Sequence, residues 1–134
     1  DLFSFLTDSK IKSIYSECLV PKTEQYPMDD NRVISLTYED GSVAVLEYFA
    51  TGSKELSKEY MEVHFDGCSI VMDDYRSMKG HGLDMNEMKT QESEKGHREE
   101  LEELYKTLKG DGQDWPISLE SMIETTEATI QISG

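Results

Sequence analysis

The most chemically suggestive residues of this 134-residue chain are four in a row: Lys95, Gly96, His97 and Arg98. They gather positive charge just ahead of a glutamate-rich run in a chain whose formal net charge is −15. If that run is a helix, the cluster stands at its N-terminus, where free N–H donors and a partial positive charge reinforce it. Such a group suits a carboxylate, hydroxyl or phosphate of a ligand. The alternative is ordinary helix-start chemistry, in which these cations pair with Glu94, Glu99 or Glu100 at the surface and stabilise little.

Other residue types offer less. Asp73 and Asp74 are adjacent, so on a strand their carboxylates point to opposite faces and make a poor acid/base pair. His64 falls on the polar side of an alternating segment and His81 in a glycine-containing loop. With His97 they lack the H-x-x-x-H or H-E-x-x-H spacing of a metal helix. The nine glycines sit in hairpins and loops without a G-x-G-x-x-G, so no dinucleotide site is expected within the chain. The seven methionines read as sheet and loop filler rather than a cofactor box. Two cysteines, Cys18 and Cys68, are too few for a disulfide scaffold and read as reduced, strand-borne core residues. The strong acidity repels phosphate backbones and anionic lipid heads, which argues against nucleic-acid and membrane-surface partners.

The elements that must position these residues follow from periodicity. Leu2, Phe5 and Leu6 have helical spacing before a break at Thr7-Asp8-Ser9. Lys10 to Val20 alternates as a strand, Ile11, Ser13, Tyr15 and Glu17 against Lys12, Ile14, Ser16 and Cys18. A polar loop over 21–30 leads to a strand from Arg32 to Tyr38, with Ile34, Leu36 and Tyr38 on one face. Glu39-Asp40-Gly41-Ser42 is a hairpin turn, and Val43 to Ala50 is a strand apolar on both faces. After a polar connection, Glu59 to Phe65 alternates, Met61, Val63 and Phe65 against Tyr60, Glu62 and His64. Asp66-Gly67 turns it back into Cys68 to Met72. Asp73-Asp74 interrupts, and Tyr75 to Lys79 supplies a further short strand. Residues 80–93 read as a flexible loop. Leu101, Leu104, Tyr105 and Leu108 form the stripe of a helix that Gly110 stops, with glutamates early and Lys106 and Lys109 late. A turn over 110–114 precedes a last helix capped by Ser118, with Leu119, Met122, Ile123, Thr126 and Ile130 on one face. The order predicts one α+β domain over 1–134: a predominantly antiparallel, open-faced sheet of about five or six strands with helices packed on one face.

The succession of D-G-S-V (Asp40–Val43), K-E-x-x-E-V (Lys58–Val63), D-D-Y-R (Asp73–Arg76), K-G-H-R-x-E-L (Lys95–Leu101) and P-I-S-L-E-S (Pro116–Ser121) resembles the C-terminal domain of Gfo/Idh/MocA oxidoreductases. These are relatives of glucose–fructose oxidoreductase and inositol dehydrogenase, and the likeness is nearest to sugar-nucleotide dehydrogenase types, including those fused to an alcohol-dehydrogenase-like part. It spans nearly the whole chain. It implies a parent with an N-terminal Rossmann domain that binds NAD or NADP, and a sugar or sugar-nucleotide substrate oxidised at a hydroxyl. The family's E-K-P lysine has no counterpart here. Asp1 matches the Asp of its H-x-x-D motif, so the motif's His falls three positions before Asp1. The resemblance thus implies a chain cut or processed from something longer, with no catalytic residue and no cofactor of its own. It would supply one wall of the substrate pocket through Lys95, His97 and Tyr75. It would also supply a homo-oligomer interface on the open sheet face, where Leu46, Tyr48, Tyr60 and Ile70 are too apolar for solvent. The cytoplasm is the expected compartment. The competing expectation is a free-standing acidic α+β interaction module with no enzymatic parent.

Overall fold

Alternating apolar residues separated by tight Asp-Gly turns fold locally into antiparallel hairpins, and these account for most of the molecule. The computed structural model of the chain describes residues 1–110 and 115–133, so the turn expected after Gly110 lies outside the described residues. The protein is α+β, but its strands form two antiparallel sheets rather than one. They belong to two compact units, Asp1–Gly52 with Ile117–Gly134 and Ser53–Pro116.

The first unit contains α1 (Leu2–Thr7), β1 (Ile11–Cys18), β2 (Asn31–Tyr38), β3 (Val43–Phe49) and a C-terminal helix (Leu119–Ser133). Its sheet has the order β1-β2-β3. Ile34, Leu36 and Tyr38 are buried on one face, as their spacing predicts, and Phe3, Ile11, Ile14, Ala44 and Ile132 pack against them. Burying a side chain such as Ile34 or Leu36 is worth about 1.5–3 kcal/mol. A bulge between Ile11 and Ser13 shifts the register, so Ile11 faces Tyr38 and Ile14 faces Leu36. Simple alternation put Ile11 and Ile14 on opposite faces; the extra residue brings both to the core. At the hairpin, the Tyr38 N–H donates to the Ser42 carbonyl at 2.9 Å, and Asp40 Oδ1 accepts the Ser42 N–H at 3.0 Å. The Ser42 hydroxyl also donates to Asp40 Oδ2 at 2.8 Å, and the two Ser42 donors, backbone and hydroxyl, hold the Asp40 carboxyl below its ordinary range. Asn31 is fully buried and its Oδ1 accepts both the N–H and the hydroxyl of Thr51, which fixes the chain as it leaves β3.

Both helices of this unit turn an unexpected side to the sheet. In the C-terminal helix Ala128 is the buried residue and Ile132 reaches the core, whereas Leu119, Met122, Ile123 and Ile130 are exposed. Polar bonds fix this orientation: Glu124 Oε1 accepts the Ile11 N–H at 2.9 Å, and Arg32 donates to the Ile132 carbonyl. Ala128 allows close approach. Ser118 caps the helix as expected, accepting the Ser121 N–H at 3.1 Å. In α1 it is Phe3 that packs inward, while Leu2, Phe5 and Leu6 stay exposed.

The second unit contains β4 (Tyr60–Phe65), β5 (Cys68–Asp73), β6 (Ser77–His81), β7 (Met88–Lys89) and α2 (His97–Lys109), with the C-terminal helix of the first unit numbered α3. Its sheet runs β4-β5-β6-β7. The Asp66-Gly67 turn has both residues at positive φ, 45° and 79°, the conformation that two-residue hairpins require and glycine accommodates. Residues 80–93, expected to be a loop, contribute the end of β6 and all of β7, so His81 ends a strand. Gly82 lies so close to β5 that a Cβ there would sit 2.8 Å from the Gly67 carbonyl oxygen. α2 ends at Gly110 as predicted, with φ 78° and its N–H bonded to the Thr107 carbonyl. It buries no residue: Leu101, Tyr105 and Leu108 are exposed, so its stripe is not packed on a sheet face.

Register also corrects the expected open face. Leu46 lies opposite Ile34 and Tyr48 opposite Arg32, so both project on the side that carries the core. The other side of that sheet exposes Tyr15, Val43, Val45 and Phe49. In the second sheet Ile70 lies opposite Val63 on the apolar side, and Tyr60 shares the polar side with Glu62 and His64.

Candidate functional site

Tyr75 is not on a strand. It lies with Asp74 and Arg76 in the three-residue turn between β5 and β6, and Asp74 and Tyr75 both have left-handed backbones, φ 51° and 53°. For a residue with a bulky side chain this costs about 1–2 kcal/mol. Several backbone bonds hold the turn. Asp74 N–H donates to the Glu59 carbonyl at 2.6 Å and Arg76 N–H to the Asp73 carbonyl at 2.9 Å. Tyr75 N–H donates to Met72 Sδ at 3.1 Å. Arg76 also pairs with Asp74 at 3.3 Å.

The segment before α2 straps onto this turn. Thr90 N–H donates to the Arg76 carbonyl at 2.8 Å and Glu94 N–H to the Tyr75 carbonyl at 3.0 Å. The next residue is Lys95, whose ammonium is thereby placed 5.4 Å from the centre of the Tyr75 ring and 3.2 Å from Glu59 Oε1. Lys95 and Glu59 side chains are 33% and 38% exposed. At that exposure the ion pair contributes under about 1 kcal/mol and the ring contact about 0.5–1 kcal/mol. Together they roughly offset the strain of the turn, so the cluster adds little net stability. Ser93 Oγ, in the same strap, is buried without a partner among the described residues.

The structure thus joins two of the three expected site residues, Tyr75 and Lys95, and adds Glu59, which sequence inspection missed. Glu59 precedes β4 and carries no local signal; the β4–β5 hairpin brings it to Asp74. His97, the first residue of α2, is exposed, and its side chain makes no hydrogen bond or ion pair among the described residues. The expected surface pairings are replaced: Lys95 pairs with Glu59, and Arg98 with Glu102 at 2.8 Å. His64 lies on the polar sheet face as expected, with Nδ1 2.8 Å from Ser69 Oγ. Asp1 precedes α1 and its carboxylate accepts the Thr125 hydroxyl at 2.8 Å. Cys18 and Cys68 carry free, half-buried thiols on β1 and β5, and Cys68 Sγ donates to the Gly82 carbonyl. Among the described residues no three His, Cys, Asp or Glu side chains converge as a metal set, and no helix is long and apolar enough to cross a membrane.

Comparison of the chain with protein-family models, curated proteins and solved structures finds no match.

Proposed function

We propose that this chain acts as the C-terminal domain of an NAD(P)-dependent oxidoreductase of the Gfo/Idh/MocA type, working on sugar or polyol hydroxyls in the cytoplasm. It supplies part of the substrate pocket and an oligomer interface, and it depends on a Rossmann domain for NAD or NADP and for the catalytic His. The observation that carries this reading is the Tyr75–Lys95–Glu59 cluster. An aromatic ring beside an ammonium and a carboxylate suits a polyhydroxylated ring: apolar C–H faces meet the aromatic surface, and hydroxyls donate to Glu59 and accept from Lys95. One Lys95 donor is engaged by Glu59, which leaves others for a ligand. A strained turn at such a cluster fits a positioning role better than a stabilising one. Exposed apolar surfaces on each unit support the dependence on partners. In the first unit the outward stripes of α1 and α3 suit a covering domain and the Tyr15–Val43–Val45–Phe49 face suits a second copy, and in the second unit the stripe of α2 is likewise exposed.

Those exposed surfaces also serve the second reading, an acidic interaction module without an enzymatic parent. Amide NMR titration with nucleotide sugars and free polyols separates the two. The enzyme-domain reading expects saturable shifts at Glu59, Tyr75 and Lys95 that Lys95→Ala removes, and no binding of NAD(H) by calorimetry. Tight NAD(H) binding by this chain, or shifts indifferent to Lys95→Ala, would overturn it.

A further inference from the structure

Four methionines stand in one row across the second sheet. Met61 on β4 lies opposite Met72 on β5, Met72 opposite Met78 on β6, and Met78 opposite Met88 on β7. Directly opposed residues of antiparallel strands project from the same face. The four side chains therefore stand on one face of four neighbouring strands, which lie about 4.8 Å apart and span about 14 Å. Strand propensity does not select this, since branched and aromatic side chains suit strands better. The neighbouring pair on the same face, Val63 and Ile70, follows that preference. The row is graded in exposure: Met72 is 6% exposed, Met61 and Met78 are half-buried, and Met88 on its two-residue edge strand is 56% exposed. Met72 is also oriented. Its sulfur accepts the Tyr75 N–H at 3.1 Å, which leaves a lone pair for another partner.

We propose that this row binds a soft monovalent cation, copper(I) by its chemistry. Neutral, polarisable thioethers favour copper(I), while magnesium, calcium and manganese favour oxygen ligands. A thioether has no proton to release, unlike the thiol and imidazole ligands whose affinity falls with pH. Each methionine has three rotatable bonds, so side chains on strands about 4.8 Å apart can bring the sulfurs of two or three neighbouring strands onto one ion. Met88 and the half-buried Met61 and Met78 give access, and Met72 supplies the sheltered ligand. Packing alone accounts for the apolar character of the row. It does not account for the same unbranched thioether at every strand of the sheet, with one sulfur held by a backbone N–H. An ion at Met72 also sits beside the bond that holds Tyr75, so its arrival registers in the strained turn. The proposal stands independently of the oxidoreductase reading.

The test uses silver(I), a redox-stable stand-in for copper(I). It is run on the full chain carrying Cys18→Ser and Cys68→Ser, because both thiols would compete for the ion. Methionine methyl groups labelled with carbon-13 report on each sulfur. The expected result is saturation near one equivalent, with the Met61, Met72, Met78 and Met88 methyl signals and the Tyr75 amide moving together. Met122, exposed on α3 and outside the row, stays in place, and zinc moves none of them. Met72→Leu with Met78→Leu, which preserves apolar volume, abolishes the saturable response. If that double variant fails to fold, Met88→Leu at the exposed end weakens saturation instead. Row methyls that do not move at one equivalent would overturn the proposal. So would Met122 moving in parallel with the row, or a Met88→Leu titration identical to the parent's.

Discussion

The two units are held by different means. In the first, a three-stranded sheet presses Ile34, Leu36 and Tyr38 against Phe3 and Ile132, so apolar burial carries the fold. In the second, Met72 is the one buried apolar side chain among the described residues, and α2 buries nothing. What organises that unit is backbone: tight turns, a four-strand ladder, and a strap whose N–H groups seize the carbonyls of residues 75 and 76. The difference teaches where each unit is vulnerable. Removing apolar volume should damage the first, whereas changing backbone preference at a turn should move the second.

The largest effect is expected from Leu36→Ala. The side chain is 7% exposed at the centre of the only buried cluster in its unit among the described residues. The loss should be about 2–5 kcal/mol, the cost of a core Leu truncation. Met72→Leu, at the corresponding depth in the second unit, conserves volume and should cost under about 1.5 kcal/mol. Urea unfolding gives the magnitudes, and amide exchange locates them. Leu36→Ala should raise exchange first in β1, β2 and β3. If β4 to β6 lose protection first, the contrast between the units is wrong.

The turns give the next largest effect, and its sign differs between two hairpins of one sheet. Gly67 at φ 79° has open space around its Cβ position, so Gly67→Ala suffers from conformation alone and should cost about 1–2 kcal/mol. Asp74→Gly relieves a non-glycine residue at φ 51° and should stabilise by up to about 1 kcal/mol. It also removes the exposed Asp74–Arg76 pair, which is worth little. Thermal unfolding measures both. Destabilisation by Asp74→Gly would mean that the carboxylate, and not the strained backbone, dominates the turn.

These hairpins also show what the sequence could disclose. Asp-Gly before a return strand announces a positive-φ turn, and the 34-36-38 spacing announces the buried face, because both are local rules of backbone and pleat. Asp73-Asp74 marks a break between strands, but no local rule puts Asp74 and Tyr75 at positive φ; Glu59, Met72 and the strap hold them there. Two of the three residues of the candidate site were legible: Tyr75 came with the family resemblance, and Lys95 stood out as a cation in acidic surroundings. Its partner Glu59 was not, being 36 residues away and set by hairpin register. The orientation of α3 was misread for a related reason. Leu119, Met122, Ile123 and Ile130 form the more apolar stripe. Glu124 and Ile132 instead bond to Ile11 and Arg32, 113 and 100 residues earlier, and turn that stripe outward. Periodicity measures which face prefers burial, not which tertiary partner arrives.

The smallest predicted effect separates the units by titration. Tyr38 and Tyr60 both ionise above the ordinary tyrosine value of about 10, for different reasons. Burial, aided by the nearby Glu124 carboxylate, raises Tyr38 against a lowering hydrogen bond with Ser4. Tyr60 is raised by its hydrogen bond to Glu62, at 2.6 Å on the exposed polar face. A raised folded-state value means the unfolded chain loses this proton first. The stability each phenol contributes is therefore complete below about pH 10 and declines as pH climbs through the folded-state value. The buried phenol should dominate that decline, because solvent screens the exposed pair. Tyr38→Phe should flatten the alkaline loss of stability in urea unfolding between about pH 9 and 11, while Tyr60→Phe leaves most of it. Equal flattening by the two variants would show that the phenol under the core of the first unit is no more protected than one on the open face of the second.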